Sequence, residues 1–177
     1  IVDLQQTPAD LVILSAADSS LASLAKAVDL LPPDFPSVRL ANWLQLAKPA
    51  AFDLYRDKVL DHAKVVVVSL LGGKNYWPYG FEQLIEWLSE ASPHQARQLI
   101  IVPGDDSSDP ELTQASSVSS EQVHRVWRYL REGGVTNAQQ LFNFIGSEFL
   151  GAEYAWGEPQ ALPPCLLYMP VSDQQSS

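Results

Sequence analysis

The stretch best equipped for chemistry is Gly72-Gly73-Lys74-Asn75-Tyr76-Trp77-Pro78-Tyr79-Gly80. Paired glycines let a backbone turn sharply and approach a bound group closely. Lys74 could meet an anion there. Tyr76, Trp77 and Tyr79 place three aromatic faces within four residues. Such rings can stack on a flat conjugated ligand or pack an interface; they suit equally a loop whose rings cover a sheet edge. The spacing is neither G-x-G-x-x-G nor G-x-x-x-x-G-K-[ST], so the loop does not read as a phosphate cradle.

A second cluster sets Asp105, Asp106, Asp109 and Glu111 within seven residues. Four carboxylates could attract a hard divalent cation, although EF-hand spacing is absent. The same residues have a plainer use. Asp109-Pro110-Glu111 reads as an N-cap, a proline at the first helical position and an acid favourable to the helix dipole. Asp105 and Asp106 can stabilise the turn after Gly104. His62, His94 and His124 are scattered, and His62 falls at an expected helix C-terminus. Cys165, the single cysteine, stands beside two prolines in an apolar run and reads as inert. With no G-x-S-x-G elbow, no catalytic constellation and no metal ligand set emerges from the residues alone.

The elements that must position these groups alternate. Leu11 to Leu14 and the four valines Val65 to Val68 are continuous apolar runs, the pattern of strands buried on both faces. Ser37 to Ala41 and Leu99 to Val102 supply two more strands. The first helix is expected from an Asp18 or Ser19 cap through Leu21, Leu24, Ala25 and Val28. Pro49 opens another, running to about His62. A third carries Phe81, Leu84, Ile85 and Leu88. After the fourth strand, Ser120 to Glu132 is amphipathic and ends at Gly133-Gly134. Thr136 to Phe149 follows, with Thr136 as its cap. This order implies an α/β fold, a mostly parallel sheet of about four strands with helices on both faces, flavodoxin-like or Rossmann-like, with extra helices after the fourth strand. In such a sheet ligands bind outside the carboxyl ends of the strands. That rule brings Asp18, the Gly72 to Gly80 loop and Asp105-Asp106 to one edge.

The 177 residues suit one ordinary domain. No apolar run approaches the roughly 20 residues of a membrane span. With 11 basic and 21 acidic side chains and a formal charge of −10, the chain lacks the basic footprint of a nucleic-acid binder. After Arg131 the remaining 46 residues carry five acids and no base. One cysteine fits a reducing, cytoplasmic setting. The chain opens at Ile1, and residues 162–171 read as a new apolar element that the polar end does not close. The expectation is therefore a 1–150 α/β domain, with 151–177 the start of a following region in something longer.

Three strings carry a resemblance: LLGGKNYWPYGFEQL (Leu70 to Leu84), PGDDSSDPEL (Pro103 to Leu112) and VHRVWRYLREGG (Val123 to Gly134). With Ser15-Ala16-Ala17-Asp18 and Tyr168-Met169-Pro170, they resemble the N-terminal region of the cobaltochelatase large subunit, the CobN family, related to the magnesium chelatase H subunit. The resemblance runs from about Asp10 to Pro170. It implies ATP-dependent insertion of Co²⁺ into a corrin tetrapyrrole, hydrogenobyrinic acid a,c-diamide, in cobalamin synthesis. It further implies that the fragment binds no cofactor itself. The parent would use ATP, Mg²⁺ and substrate Co²⁺, with the remainder of the large subunit and smaller subunits, including an AAA-class ATPase, as partners. No catalytic residue carries over. The expected ligand-facing or domain-facing edge comprises Asp18, Gly72, Gly73, Lys74, Tyr76, Trp77, Tyr79, Asp105 and Asp106. A docking module without ligand, the magnesium counterpart and a stand-alone α/β enzyme or nucleotide-binding protein are the alternatives. One tension is electrostatic: an acidic chain repels a carboxylate-bearing corrin while favouring a metal cation.

Overall fold

Runs such as VVVV leave no polar face, so the strands they form must be covered on both sides. The computed structural model, which describes residues 4–161, builds four: β1 (Leu11–Ser15), β2 (Val38–Asn42), β3 (Val65–Leu70) and β4 (Gln98–Pro103). All pair in parallel in the order β2-β1-β3-β4, with Leu11 level with Val38 on one side and Val65 on the other. This is the order that begins the flavodoxin-like arrangement, and the chain reverses direction of travel across the sheet between β1 and β3.

Side-chain alternation sorts the sheet into two cores. Val12, Leu14, Val66, Val68, Leu99 and Ile101 face α2 (Pro49–Lys58), α3 (Pro78–Ser89) and the short α4 (Pro110–Ala115). Leu11, Ile13, Val65, Val67, Ile100 and Val102 face α1 (Asp18–Asp29), α5 (Ser120–Glu132) and α6 (Gly134–Phe149). No helix among the described residues is long and apolar enough to cross a membrane.

Several element boundaries differ from expectation. The first helix is preceded by Ala17, not capped by Asp18 or Ser19; Ser15 Oγ accepts the Ala17 N–H at 3.1 Å instead. The second stops at Lys58, because Val59 leaves the helical region (φ −124°), and a separate 3₁₀ turn spans Leu60–His62. On α3 the buried stripe is Gly80, Phe81, Leu84 and Trp87; Ile85 is largely exposed, because the Trp87 indole, donating to Leu60 O at 2.7 Å, takes the inward position. Gly133 precedes α6, so Thr136 lies inside the helix and caps nothing. On α5 a capping box of Ser119 and Gln122 fixes the start.

Past α6 the chain has no regular secondary structure, yet it lies along the body. Ser147 Oγ donates to Tyr154 O (2.6 Å), Tyr129 Oη donates to Gly157 O, and Asn137 exchanges hydrogen bonds with Gln160 (2.8 and 2.9 Å). Arg125 ion-pairs with Glu158 at 2.5 Å and lies 4.6 Å over the Trp156 ring. A boundary at residue 150 thus falls ahead of a strap, residues 152–161, that is bonded to α5 and α6. The apolar element expected over 162–171, Cys165 and Tyr168-Met169-Pro170 lie outside the described residues.

Candidate functional site

The carboxyl edge of the sheet collects the loops that follow β1, β2, β3 and β4. Gly72 and Gly73 both adopt left-handed backbone (φ 84° and 74°), and the chain then makes a 3₁₀ turn over Lys74–Tyr76. The Tyr76 ring folds back over Gly72, so closely that a Cβ on Gly72 would lie 2.4 Å from the ring. The glycine pair therefore makes room for a side chain of the same loop. The other face of Tyr76 is open, and the residue is 71% exposed.

Trp77 points the opposite way, and the expectation that it offers a ring to a ligand is corrected. It is 2% exposed, stacks on Trp43 (centroids 5.1 Å apart, planes 13° apart) and donates through Nε1 to Leu46 O at 3.3 Å. A large apolar ring gains more by burial than by waiting in solvent. Gly80 is the counterpart of this packing, since a Cβ there would meet the Trp77 indole at 2.0 Å. Trp43, which the sequence reading passed over, follows β2 directly and donates through Nε1 to Ser69 O of β3 at 2.9 Å. With β1 between β2 and β3, that indole spans the carboxyl end of β1 on the α2/α3 side. The signal for it is the apolar Trp43-Leu44 pair immediately after a strand.

Tyr79 is half-buried, packs edge-on to Phe52 and donates to Asp53 Oδ1 at 2.6 Å; this hydrogen bond to the carboxylate favours the neutral phenol and holds it above its usual pKa. Lys74, expected to meet an anion, ion-pairs with Glu111 Oε2 at 2.6 Å, and this hydrogen bond holds its ammonium above the usual range.

Of the acidic cluster, Asp109 caps α4 by accepting the Leu112 N–H (3.3 Å), Asp105 accepts the Ser107 N–H (2.9 Å), and Asp106 ion-pairs with Arg131. These are the structural roles the spacing allowed. Asp18 sits in the first turn of α1, and its side chain has no partner among the described residues. No group of three or more His, Cys, Asp or Glu among the described residues is placed to hold a metal ion.

Two shallow clefts flank the 105–109 loop. One, about 250 Å³, is lined by Gly72, Gly73, Pro103, Asp105 and Asp109. The other, about 280 Å³, is lined by Asp106, Asp109, Ser120, His124 and Trp127. His124 and Trp127 enter it together because residues three apart share a helix face; their rings lie 5.3 Å apart, and Trp127 Nε1 donates to Asp105 O at 2.9 Å. The structure thus brings Gly72, Gly73, Asp105 and Asp106 beside one loop with Tyr76 exposed near them, and removes Trp77 to the core.

No protein-family model matches the chain. It is 51% identical over 170 residues to the aerobic cobaltochelatase subunit CobN of Pseudomonas aeruginosa, covering 96% of this chain and 13% of that protein. To the protein of the same name from a Sinorhizobium species it is 37% identical over 165 residues, 93% of this chain and 12% of that one. Its backbone matches the catalytic subunit of cobaltochelatase from Mycobacterium tuberculosis with a TM-score of 0.67 and 27% identity, covering 86% of this chain and 11% of that one. The chain therefore spans a small part of the length of each relative.

Proposed function

Over the stretch it shares with them, this chain belongs to the CobN family of cobaltochelatase subunits, and on that premise we propose that it is an α/β module of the large, tetrapyrrole-binding subunit of a cobalt-inserting chelatase. The observation that carries the reading is 51% identity across 96% of the chain to a CobN subunit. In this reading the parent inserts Co²⁺ into hydrogenobyrinic acid a,c-diamide on the way to cobalamin. ATP is hydrolysed, with Mg²⁺, on a smaller AAA-class subunit.

The geometry supports such a division of labour. The glycine pair after β3 serves the Tyr76 ring, and Lys74 is held by Glu111, so the loop is built for shape. Asp105, Asp106 and Asp109 each support a turn, a helix start or an ion pair. The module contributes an edge of defined shape and negative charge, which favours a metal cation over a polycarboxylate.

The test is metal insertion by the full-length subunit together with its ATPase partners, followed by the absorption of the tetrapyrrole. Cobalt entering the corrin only when ATP is present is the expected result. Insertion of magnesium into a porphyrin instead would move the chain to the related magnesium enzymes. Insertion of neither metal would overturn the reading.

A further inference from the structure

β4 is an edge strand, and the backbone donors on its outer side are all accounted for. Its amides alternate in direction. Gln98 N–H donates to Lys64 O (2.8 Å) and Gly104 N–H to Leu70 O (3.2 Å), both toward β3, so Leu99, Ile101 and Pro103 turn their backbone groups away from the sheet. Ser117 Oγ accepts the Leu99 N–H at 2.8 Å, and the Ser117 N–H donates back to Leu99 O at 2.8 Å. Ser116 Oγ accepts the Ile101 N–H at 2.9 Å and lies 3.3 Å from Ile101 O. Pro103 has no N–H to offer. None of the three outward positions therefore presents an unpaired donor.

The sequence of β4 explains why such closure matters. Gln98–Pro103 (QLIIVP) holds no charge and is rich in strand-forming apolar residues, so its bare edge would be a template for another strand. The opposite edge is guarded by different means. β2 carries Arg39, whose guanidinium donates to Val38 O (2.7 Å) and Thr7 O (3.0 Å), while Gln6 Nε2 donates to Leu40 O (2.9 Å). A flavodoxin-like order would continue with a fifth strand beside β4. The chain that leaves α4 does arrive there extended (Ser116 φ −73°, ψ 148°), but Ser119 already caps α5, so only a two-residue rudiment runs along the edge. We propose that Ser116 and Ser117 are an edge lock, which takes the place of a fifth strand and bars β4 from pairing with β4 of a second copy of this chain. Serine suits the role, because its hydroxyl accepts an N–H that a strand partner would otherwise meet with a carbonyl, and it offers that partner no continuous ladder.

Hydrogen exchange resolved to single amides, in the full-length subunit, reads the lock. Ser117→Ala should speed exchange at Leu99 about tenfold, the equivalent of one lost hydrogen bond, and leave Ile101 unchanged. Ser116→Ala should do the reverse. Gln98, Ile100 and Val102, which face β3, should keep their protection in both variants. The double variant Ser116→Val/Ser117→Val should then associate beyond the wild-type state in sedimentation as its concentration rises, with Leu99 and Ile101 regaining protection as it does so. Three results would overturn the proposal. Protection of Leu99 and Ile101 that survives both alanine changes would mean that another segment of the subunit already pairs with β4. Equal loss at Gln98, Ile100 and Val102 would make the serines supports of the fold and not guards of its edge. A double variant that keeps the wild-type assembly state at every concentration would show that the edge has no partner to be barred from. Metal insertion does not enter the readout, so the outcome stands apart from the family reading.

Discussion

Gly72 meets two demands that no other residue meets together. Its φ of 84° lies where side chains are strained, and the Tyr76 ring occupies the space a Cβ would take. Gly72→Ala should cost about 1–3 kcal/mol, the range for a strained backbone position. Tyr76→Ala should recover the part due to the ring and leave the part due to φ. Denaturant melts of both single variants and the double variant measure the coupling, which should be well above the roughly 0.3–0.5 kcal/mol scatter of independent sites. A coupling within that scatter would mean that the ring moves aside freely. The sequence made a sharp turn legible here, because two glycines after a valine run permit little else. It could not say which group fills the space, since the ring that does so is four residues away and equally free, on paper, to face solvent.

At the scale of elements, the strap is the part that periodicity did not reveal. Residues 152–161 carry neither a helical nor a strand repeat, and they are held by side chains scattered over α5 and α6. Arg125 is central, its guanidinium 4.6 Å from the Trp156 ring and 5.6 Å from the Phe144 ring, two rings that themselves meet edge to face, and it faces Glu158. Exposed Glu158 is screened by solvent, so the ring contacts matter more than the ion pair. Trp156→Ala should release the strap while leaving the sheet intact. In hydrogen exchange, the amides of Tyr154 and Gly157, now bonded to Ser147 Oγ and Gln140 Oε1, should lose protection. Those of β1 and β3 should keep theirs. Equal loss across the sheet would show that strap and body unfold as one. The other elements were legible where local chemistry was explicit, as in the proline that opens α2 and the Asp109-Pro110 start of α4. They were misjudged where tertiary packing decided, as at Ile85 and Trp87.

Across the whole molecule, the alternation of strand residues between two cores follows from four apolar runs, and the α/β class was legible for that reason. Strand order was not, because pairing of β1 with both β2 and β3 is a non-local choice. Charge and burial together set the response to base. Tyr55 and Tyr129 are buried, and loss of solvent pushes both phenols above their ordinary value of 10. Phenols that the fold keeps neutral stabilise it below that value. The contribution is lost as pH rises through it, because the unfolded chain then ionises and the folded one resists. Stability from denaturant melts should therefore hold to about pH 9 and fall steadily above about pH 10. Tyr129→Phe should reduce the slope of that fall, and an unchanged slope would assign it to general charge repulsion from the net −10.

The two indoles that tie the loops after β2 and β3 also determine how the protein answers light. Near-parallel rings 5.1 Å apart form a coupled chromophore dimer, whose excitation is shared between them. Part of the circular dichroism would then arise from Trp43 and Trp77 and not from the peptide backbone. Helix content taken from ellipticity alone would be misjudged, while the difference spectrum of Trp43→Phe would give an optical gauge of whether the carboxyl edge is assembled.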